Sequence, residues 1–413
     1  MVDILFDYNI IKINNYILSS VYTRNMPTLK LLNQGSYGCV YRPGITCKGN
    51  PQSMKFITKL EVDKNSSENE YNIGTYIREN IPLSNTMFAP ILDLCPISIS
   101  KINDDSIEEC DVIKKQENPS LFSNKIRYVG KDSLEVYLYN RLKKYKSFIS
   151  QLLETHLYLI NSFSKLIEAG VVHYDVKENN IIYDPAQHVP IIIDFGLSFI
   201  TNNLKTDEDY KNAFYVFATD YPPWCLEIVL ISYIVQQKYL QEKSETSSWM
   251  ETVIDVKLLL NVVDDFYKNN NSMIVISDYQ KSITDSSKKK WRNYITKNFS
   301  KKKGKFIVES LMQSWDTWDN YALCVIYLFF IENTFSKVLE PYLQILVEYI
   351  SVLPHERMSI GDFYNKIYTL VDMHFEDLPT IDHGKYIEKY KTQVDHNSRL
   401  ENAIYTLFFG KGK

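Results

Sequence analysis

The chain has 413 residues, 45% hydrophobic and 23% charged, an ordinary globular mixture long enough for one large bilobal domain or two smaller ones. A net charge of −4 excludes the strongly basic footprint of a general nucleic-acid or membrane binder. The six cysteines (Cys39, Cys47, Cys95, Cys110, Cys225, Cys324) are scattered without a C-x-x-C pair, so neither zinc nor a disulfide framework is predicted, and a reducing, intracellular compartment fits. Asp3 and Asp7 precede any apolar stretch, unlike a signal peptide. The longest apolar run, Tyr321 to Ile331, falls short of the roughly 20 residues that span a bilayer, so no membrane span is predicted.

Residues 1–27 read as an N-terminal extension without a clear cap or turn. Leu31 to Tyr41 predicts a strand–turn–strand, with the turn at Gln34-Gly35-Ser36-Tyr37-Gly38. Met54 to Leu60 predicts a short strand. Ser66-Ser67-Glu68-Asn69-Glu70 reads as the capped start of a helix continuing through Tyr71, Ile73, Tyr76 and Ile77. Phe88 to Leu94 and Lys125 to Val129 return to strand, separated by an inserted polar loop over about 97–124.

Beyond Gly130 the pattern becomes helical. Ile149, Leu152, Leu153, His156, Ile160, Phe163 and Ile167 keep the 3.6-residue period, and Gly170 supplies a left-handed terminus. Two short strands follow, Asn180–Tyr183 and Pro190–Ile193, joined by a turn at Asp184-Pro185. After Cys225 the chain reads as almost wholly helical. The prediction is an α+β protein with a strand-rich lobe over 28–131, a larger helical lobe over 132–413, and a ligand cleft between them.

Phosphoryl transfer requires a phosphate cradle, charge neutralisation by Mg²⁺, an aimed hydroxyl and exclusion of water. Asp175, Lys177 and Asn180 lie in the pattern H-x-D-x-K-x-x-N, between the helix end at Gly170 and a short strand. Asp175 can take the proton of an attacking hydroxyl, Lys177 can neutralise a γ-phosphate, and Asn180 offers a neutral oxygen to a metal. Asp194, after Ile191-Ile192-Ile193 and before Phe195-Gly196, is the candidate anionic metal ligand.

In this order and context the residues resemble the protein kinase family, over about residues 30–370. The resemblance implies a bilobal kinase fold, ATP and Mg²⁺ as cofactors, and a protein substrate with a serine or threonine acceptor, because serine/threonine kinases carry lysine at the Lys177 position. It implies that Asn33-Gln34-Gly35-Ser36-Tyr37-Gly38-Cys39-Val40 covers the phosphates, with Asn33 at the family's first glycine and Val40 on the adenine. Lys59 fits the lysine that grips the α- and β-phosphates, with Lys55 as its rival. Glu70 fits the carboxylate partner of that lysine; Glu68 and Glu79 are alternatives, since the Lys59–Glu70 interval is shorter than in most kinases. Glu227 resembles the end of the activation segment and Arg357 its buried ion-pair partner. Asp319 resembles the aspartate that holds the catalytic loop, with Asp316 as rival. The run Gly35 to Pro43, with Ile57-Thr58-Lys59-Leu60 and the long insertion at about 235–310, is similar to the serine/threonine kinases of large DNA viruses, which implies the host cytoplasm or a virion.

The pattern also departs from the family. Tyr174 stands where most kinases have arginine, which predicts activity that needs no phosphate between Asp194 and Glu227. Glu178 replaces a common proline. Thr219 is the candidate hydroxyl for Asp175 and Lys177, and His173 is expected to brace the loop rather than act as a base. Residues 281–305 hold ten Lys or Arg and one acid, Asp285; they read as a solvated basic face or as a docking site for an acidic partner. A catalytically inactive scaffold and a small-molecule phosphotransferase of kinase-like fold are the competing functions. The retained Asp175, Asn180 and Asp194 argue against the first, and Lys177 with the Glu227/Arg357 pair against the second.

Overall fold

The computed structural model describes residues 28–35, 38–102, 104–115, 119–140, 145–238, 248–332 and 339–374. The extension expected over 1–27 and the loop positions Ser36 and Tyr37 lie outside the described residues. The fold is α+β: an antiparallel sheet in the N-terminal part and helices in the C-terminal part. Two compact units divide the chain, Met1–Tyr71 with Ile91–Tyr128 and Asn72–Pro90 with Val129–Lys413.

The first unit is built on five strands: β1 (Lys30–Gln34), β2 (Gly38–Arg42), β3 (Phe56–Glu61), β4 (Ile91–Ile97) and β5 (Leu121–Arg127), in the order β1-β2-β3-β5-β4. Side chains alternate across the sheet. Cys39 and Tyr41 on β2 therefore turn into a core with Ile45, Leu60 and Ile97, while Val40 faces the other way, directly opposite Lys59. Helix α1 (Lys64–Asn80) follows β3. Its cap is Asp63, whose Oδ1 accepts the N–H groups of Asn65 and Ser66 at 2.9 and 3.3 Å, so the helix starts earlier than the expected serine cap and Glu70 lies well inside it.

The stretch expected as an inserted polar loop is instead a strap that closes one face of the sheet. It contains a 3₁₀ turn (Asp105–Glu109) and the short helix α2 (Asp111–Lys114). Ile102, Ile107 and Ile113 are buried in the same core as Tyr41 and Leu60, each contributing roughly 1.5–3 kcal/mol of apolar burial. Polar side chains stitch its edges: Asp104 Oδ2 accepts the Leu29 N–H at 2.9 Å, and Gln34 exchanges two hydrogen bonds with Asp111.

Two disulfides, Cys39–Cys110 and Cys47–Cys95, cross-link this unit, correcting the expectation of unpaired cysteines. Cys39 on β2 meets Cys110 in the strap, and Cys47 in the loop after β2 meets Cys95 on β4, at Cα separations of 6.1 and 5.9 Å, relations that spacing does not display. Loops of 71 and 48 residues correspond to about 4 kcal/mol of chain-entropy stabilisation each. The cysteines therefore give no support to a reducing compartment.

The second unit is helical. Helices α3 (Leu134–Tyr139) and α4 (Tyr145–Glu168) lead to Gly170, whose φ of +71° ends α4 in the left-handed conformation. Short strands β6 (Val171–Val172) and β9 (Phe199–Ile200) pair with each other, as do β7 (Ile181–Asp184) and β8 (Val189–Ile192). Helices α5 (Asp207–Ala213), α6 (Leu226–Val235), α7 (Val256–Asn269), α8 (Asn271–Phe299), α9 (Gly304–Met312), α10 (Trp318–Glu332), α11 (Glu340–Ser351) and α12 (Ile360–His374) complete it. From Trp318 to Leu328 α10 is buried on every side, as a helix apolar all round must be. Tyr327 on α10 donates to Thr155 of α4 at 2.8 Å, and His156 stacks on its ring at 4.0 Å. Among the described residues no helix is long and apolar enough to cross a membrane.

Candidate active site

The loop between β6 and β7 carries His173, Tyr174, Asp175, Lys177 and Asn180. Asp319, at the start of α10, accepts the N–H of His173 on one carboxylate oxygen at 2.8 Å and that of Tyr174 on the other at 3.0 Å. Asp319 is the residue in this place, and its rival Asp316 is not. Burial raises the Asp319 carboxyl, opposed by the nearby His173 and by these two N–H donors. His173 is fully buried. Its Nε2 donates to the carbonyl of Ile193 at 3.0 Å, while Nδ1 accepts the Asp175 N–H at 3.3 Å. Both ring nitrogens are thus committed to backbone, and His173 braces the loop.

Tyr174 has a φ of +71°, a conformation costly for a bulky residue. Its ring is buried among Phe199, Phe214 and Trp224, with centroids 5.5, 5.7 and 5.0 Å away. The Trp224 indole donates to the Tyr174 carbonyl at 2.9 Å, and Gln236 donates to the carbonyl of Phe214 at 3.0 Å. The segment after Asp194 is therefore fastened here by aromatic packing and neutral hydrogen bonds.

The turn delivers Asp175, Lys177 and Asn180 to one point. Lys177 Nζ and Asn180 Nδ2 both lie 2.8 Å from Asp175 Oδ2. Asn180 Nδ2 also donates to the Asp175 carbonyl at 2.9 Å, which fixes the amide with its nitrogen toward the aspartate. The other carboxylate oxygen, Oδ1, accepts the hydroxyl of Tyr221. This corrects the expectation for Thr219: the hydroxyl on Asp175 comes from two residues further along, and Thr219 contributes its carbonyl to a bond from Asn270. Burial, then the charge of Asp175, pushes the Tyr221 phenol well above its ordinary value.

Asp194 sits just beyond β8, on a second left-handed non-glycine residue with φ +62°. The Ile193 N–H donates to the Asn180 carbonyl at 2.9 Å, so the strand pair ties the two expected metal ligands together through backbone. Phe195 is fully buried, its ring 5.0 Å from His173 and 6.0 Å from Phe88. Two strained non-glycine residues, Tyr174 and Asp194, thus flank a cluster of charged and amide side chains.

In the first unit, Lys59 Nζ lies 2.9 Å from Glu70 Oε2, the pairing that the family resemblance implies. Neither Glu68 nor Glu79 takes that place. Glu61 adds a carboxylate that the sequence reading missed, 2.8 Å from the same ammonium. Positions 59 and 61 share a strand face, which is the signal that could have found it. Glu61 Oε2 is held in turn by Ser67 at 2.6 Å and Asn124 at 2.8 Å. Lys59 keeps 18% of its side-chain surface exposed, whereas Glu61 and Glu70 keep 0% and 2%. Gly35 N–H closes the turn onto the Gly38 carbonyl at 2.9 Å. A Cβ on Gly38 would stand 2.0 Å from the Leu60 carbonyl oxygen, so glycine here permits β2 to lie against β3. Asn33 caps the Gln34 N–H with its own side chain at 2.8 Å.

Glu227 and Arg357 form a buried ion pair at 2.6 Å, with side-chain exposures of 0% and 1%. The basic segment is partly neutralised by the protein itself. Lys288 and Arg292 pair with Asp264, Lys290 with Glu356, Lys303 with Glu251 and Lys305 with Glu309. That distribution favours a solvated basic face over a dedicated acidic docking site. No protein-family model matches the chain, and no curated protein matches it.

Proposed function

We propose that the protein is an ATP-dependent serine/threonine protein kinase of bilobal kinase-like fold. The observation that carries this reading is the convergence of Lys177 and Asn180 on one oxygen of Asp175, on a loop braced through His173 to the residue preceding Asp194. An acidic group with a cation and an amide fixed at its side can orient an acceptor hydroxyl and offset phosphoryl charge. Asp175 orients the acceptor hydroxyl and takes its proton. The acceptor oxygen bonds to the γ-phosphorus as the bond from that phosphorus to the bridging oxygen of ADP breaks, while Lys177 neutralises the charge carried by the phosphoryl oxygens. Lys59 is assigned to the α- and β-phosphates, aligned by Glu70.

The donor set at the second unit suits Mg²⁺. Asp194 and Asn180 offer a carboxylate and an amide oxygen, both hard donors, and Asn180 spends its nitrogen on Asp175. Among the described residues no group of three or more His, Cys, Asp or Glu could hold a metal ion, so in this reading Asp194 and Asn180 would be the residues that hold it. When bound, Mg²⁺ supplies charge neutralisation between the phosphates. The aromatic seat of Tyr174 supports activity independent of phosphorylation between Asp194 and Glu227. Phosphatase-treated enzyme is expected to keep its turnover, and loss of turnover on that treatment refutes the point.

The reading is tested by incubating the protein with labelled ATP, Mg²⁺ and a mixed protein acceptor, followed by phosphoamino-acid analysis. Label on serine or threonine is expected. Label on an aminoglycoside or sugar but on no protein points instead to a small-molecule phosphotransferase.

A further inference from the structure

The long insertion between α6 and α9 reaches the catalytic carboxylate through two side chains. Asn270, fully buried, joins α7 to α8. Its Oδ1 accepts the Ser272 N–H at 3.0 Å and caps α8. Its Nδ2 donates to the carbonyls of Tyr221 at 3.1 Å and Thr219 at 3.4 Å. Only a side chain with both an acceptor and a two-hydrogen donor performs both tasks at once. The residue so held, Tyr221, rests its ring on Trp224 at 5.0 Å and places its hydroxyl on Asp175 Oδ1.

That contact lies where an acceptor must arrive. Lys177 and Asn180 occupy Oδ2, leaving Oδ1 as the oxygen for an incoming hydroxyl, and Tyr221 is on it. Asp175 is only 6% exposed. An incoming protein hydroxyl must share or displace the Tyr221 contact on this buried oxygen. We propose that Tyr221 is a displaceable cap on the acceptor side of Asp175, latched from the insertion by Asn270. Acceptor and tyrosine then compete for one carboxylate oxygen, and the insertion sets the outcome. The inference rests on the phosphotransfer reading and gives the insertion a role in it. The cost of lifting the cap falls on the acceptor's KM and not on that of ATP.

Two variants separate the cap from its latch. Tyr221→Phe removes the hydroxyl and keeps the ring on Trp224. Asn270→Ser keeps an oxygen for the α8 cap and drops the amide donor. With a serine-containing peptide as acceptor, both are expected to lower the acceptor KM about tenfold, the worth of one hydrogen bond to a charged group, with the ATP KM unchanged. Without nucleotide or peptide, hydrogen exchange over residues 217–224 should quicken in Asn270→Ser, which reads the latch independently of activity. An acceptor kcat/KM in Tyr221→Phe that is unchanged or reduced overturns the cap, and unchanged exchange in Asn270→Ser overturns the latch. Absence of transfer from ATP in the folded wild type and both variants overturns the kinase reading, and this one with it.

Discussion

Replacing Arg357 by alanine strips Glu227 of its partner inside the second unit. The pair is 2.6 Å apart and almost wholly excluded from solvent, and Arg357 also donates to Thr317 Oγ1 at 2.9 Å. Burial disfavours the Arg357 cation, but Glu227 outweighs it and holds the guanidinium above its ordinary value. Leaving one charge of a buried pair uncompensated costs about 3–5 kcal/mol. Lys366 and Glu348 form a pair at the same 2.6 Å, but with side-chain exposures of 38% and 55%. Breaking that one costs about 0–1 kcal/mol. Thermal unfolding followed by tryptophan fluorescence should lower the midpoint of Arg357→Ala by on the order of 10 °C, and shift that of Lys366→Ala by at most about 2 °C. Because Glu227 Oε2 and Arg357 Nε lack hydrogen-bond partners among the described residues, the pair is an expensive way to fill the space. The double change Glu227→Met/Arg357→Met should therefore recover most of the loss. Equal shifts for Arg357→Ala and Lys366→Ala would refute the burial argument.

Three further outcomes follow from particular contacts. Lys59→Met should weaken Mg²⁺-ATP binding at least about tenfold by titration calorimetry, the worth of one charge-assisted contact to a phosphate; unchanged affinity removes Lys59 from the nucleotide site. Gly38→Ala should destabilise the first unit by about 1–3 kcal/mol in denaturant unfolding, because its Cβ meets the Leu60 carbonyl and backbone must shift; an unchanged midpoint shows that β2 can yield. His156 is buried and its pKa is pushed down to about 3, so the folded state holds the neutral ring. Its contribution is fully present above the ordinary value of 6.5 and is lost as pH falls toward 3, the loss reaching about 2 kcal/mol by pH 5. His156→Phe should flatten that acid limb, and an unchanged limb refutes the assignment. Glu154 acts in the opposite sense: burial raises its carboxyl to about 7, so its share of stability is complete below about 4.5 and is lost as pH rises through 7.

Much of the candidate site was legible because its residues follow one another along the chain. His173 to Asn180 form a single turn, and Asp194 lies one strand pair later, so order and spacing stand in for geometry. Lys59–Glu70, Asp319 and Glu227–Arg357 were reached only through the family resemblance, and the structure forms each of those contacts. What stayed hidden depends on distant partners. Tyr221 meets Asp175 across 46 residues and Asn270 meets Tyr221 across 49, with no periodicity to announce either. The strap looked like a polar loop because its anchors, Ile102, Ile107 and Ile113, are spread among charged residues rather than placed at a regular period. The helix cap was misplaced because Ser66 and Ser67 have cap chemistry, yet Asp63 reaches the first free N–H groups before them.

The proposed phosphoryl transfer depends on Asp175 and Asp194. Its most direct test is transfer of label from γ-labelled ATP to protein by the wild type, Asp175→Ala and Asp194→Asn, at equal concentration with folding checked by circular dichroism. Mg²⁺-dependent transfer is expected from the wild type, with a loss of at least about a hundredfold in each variant. Transfer at the wild-type rate by either variant, or none by the folded wild type, would contradict the proposal.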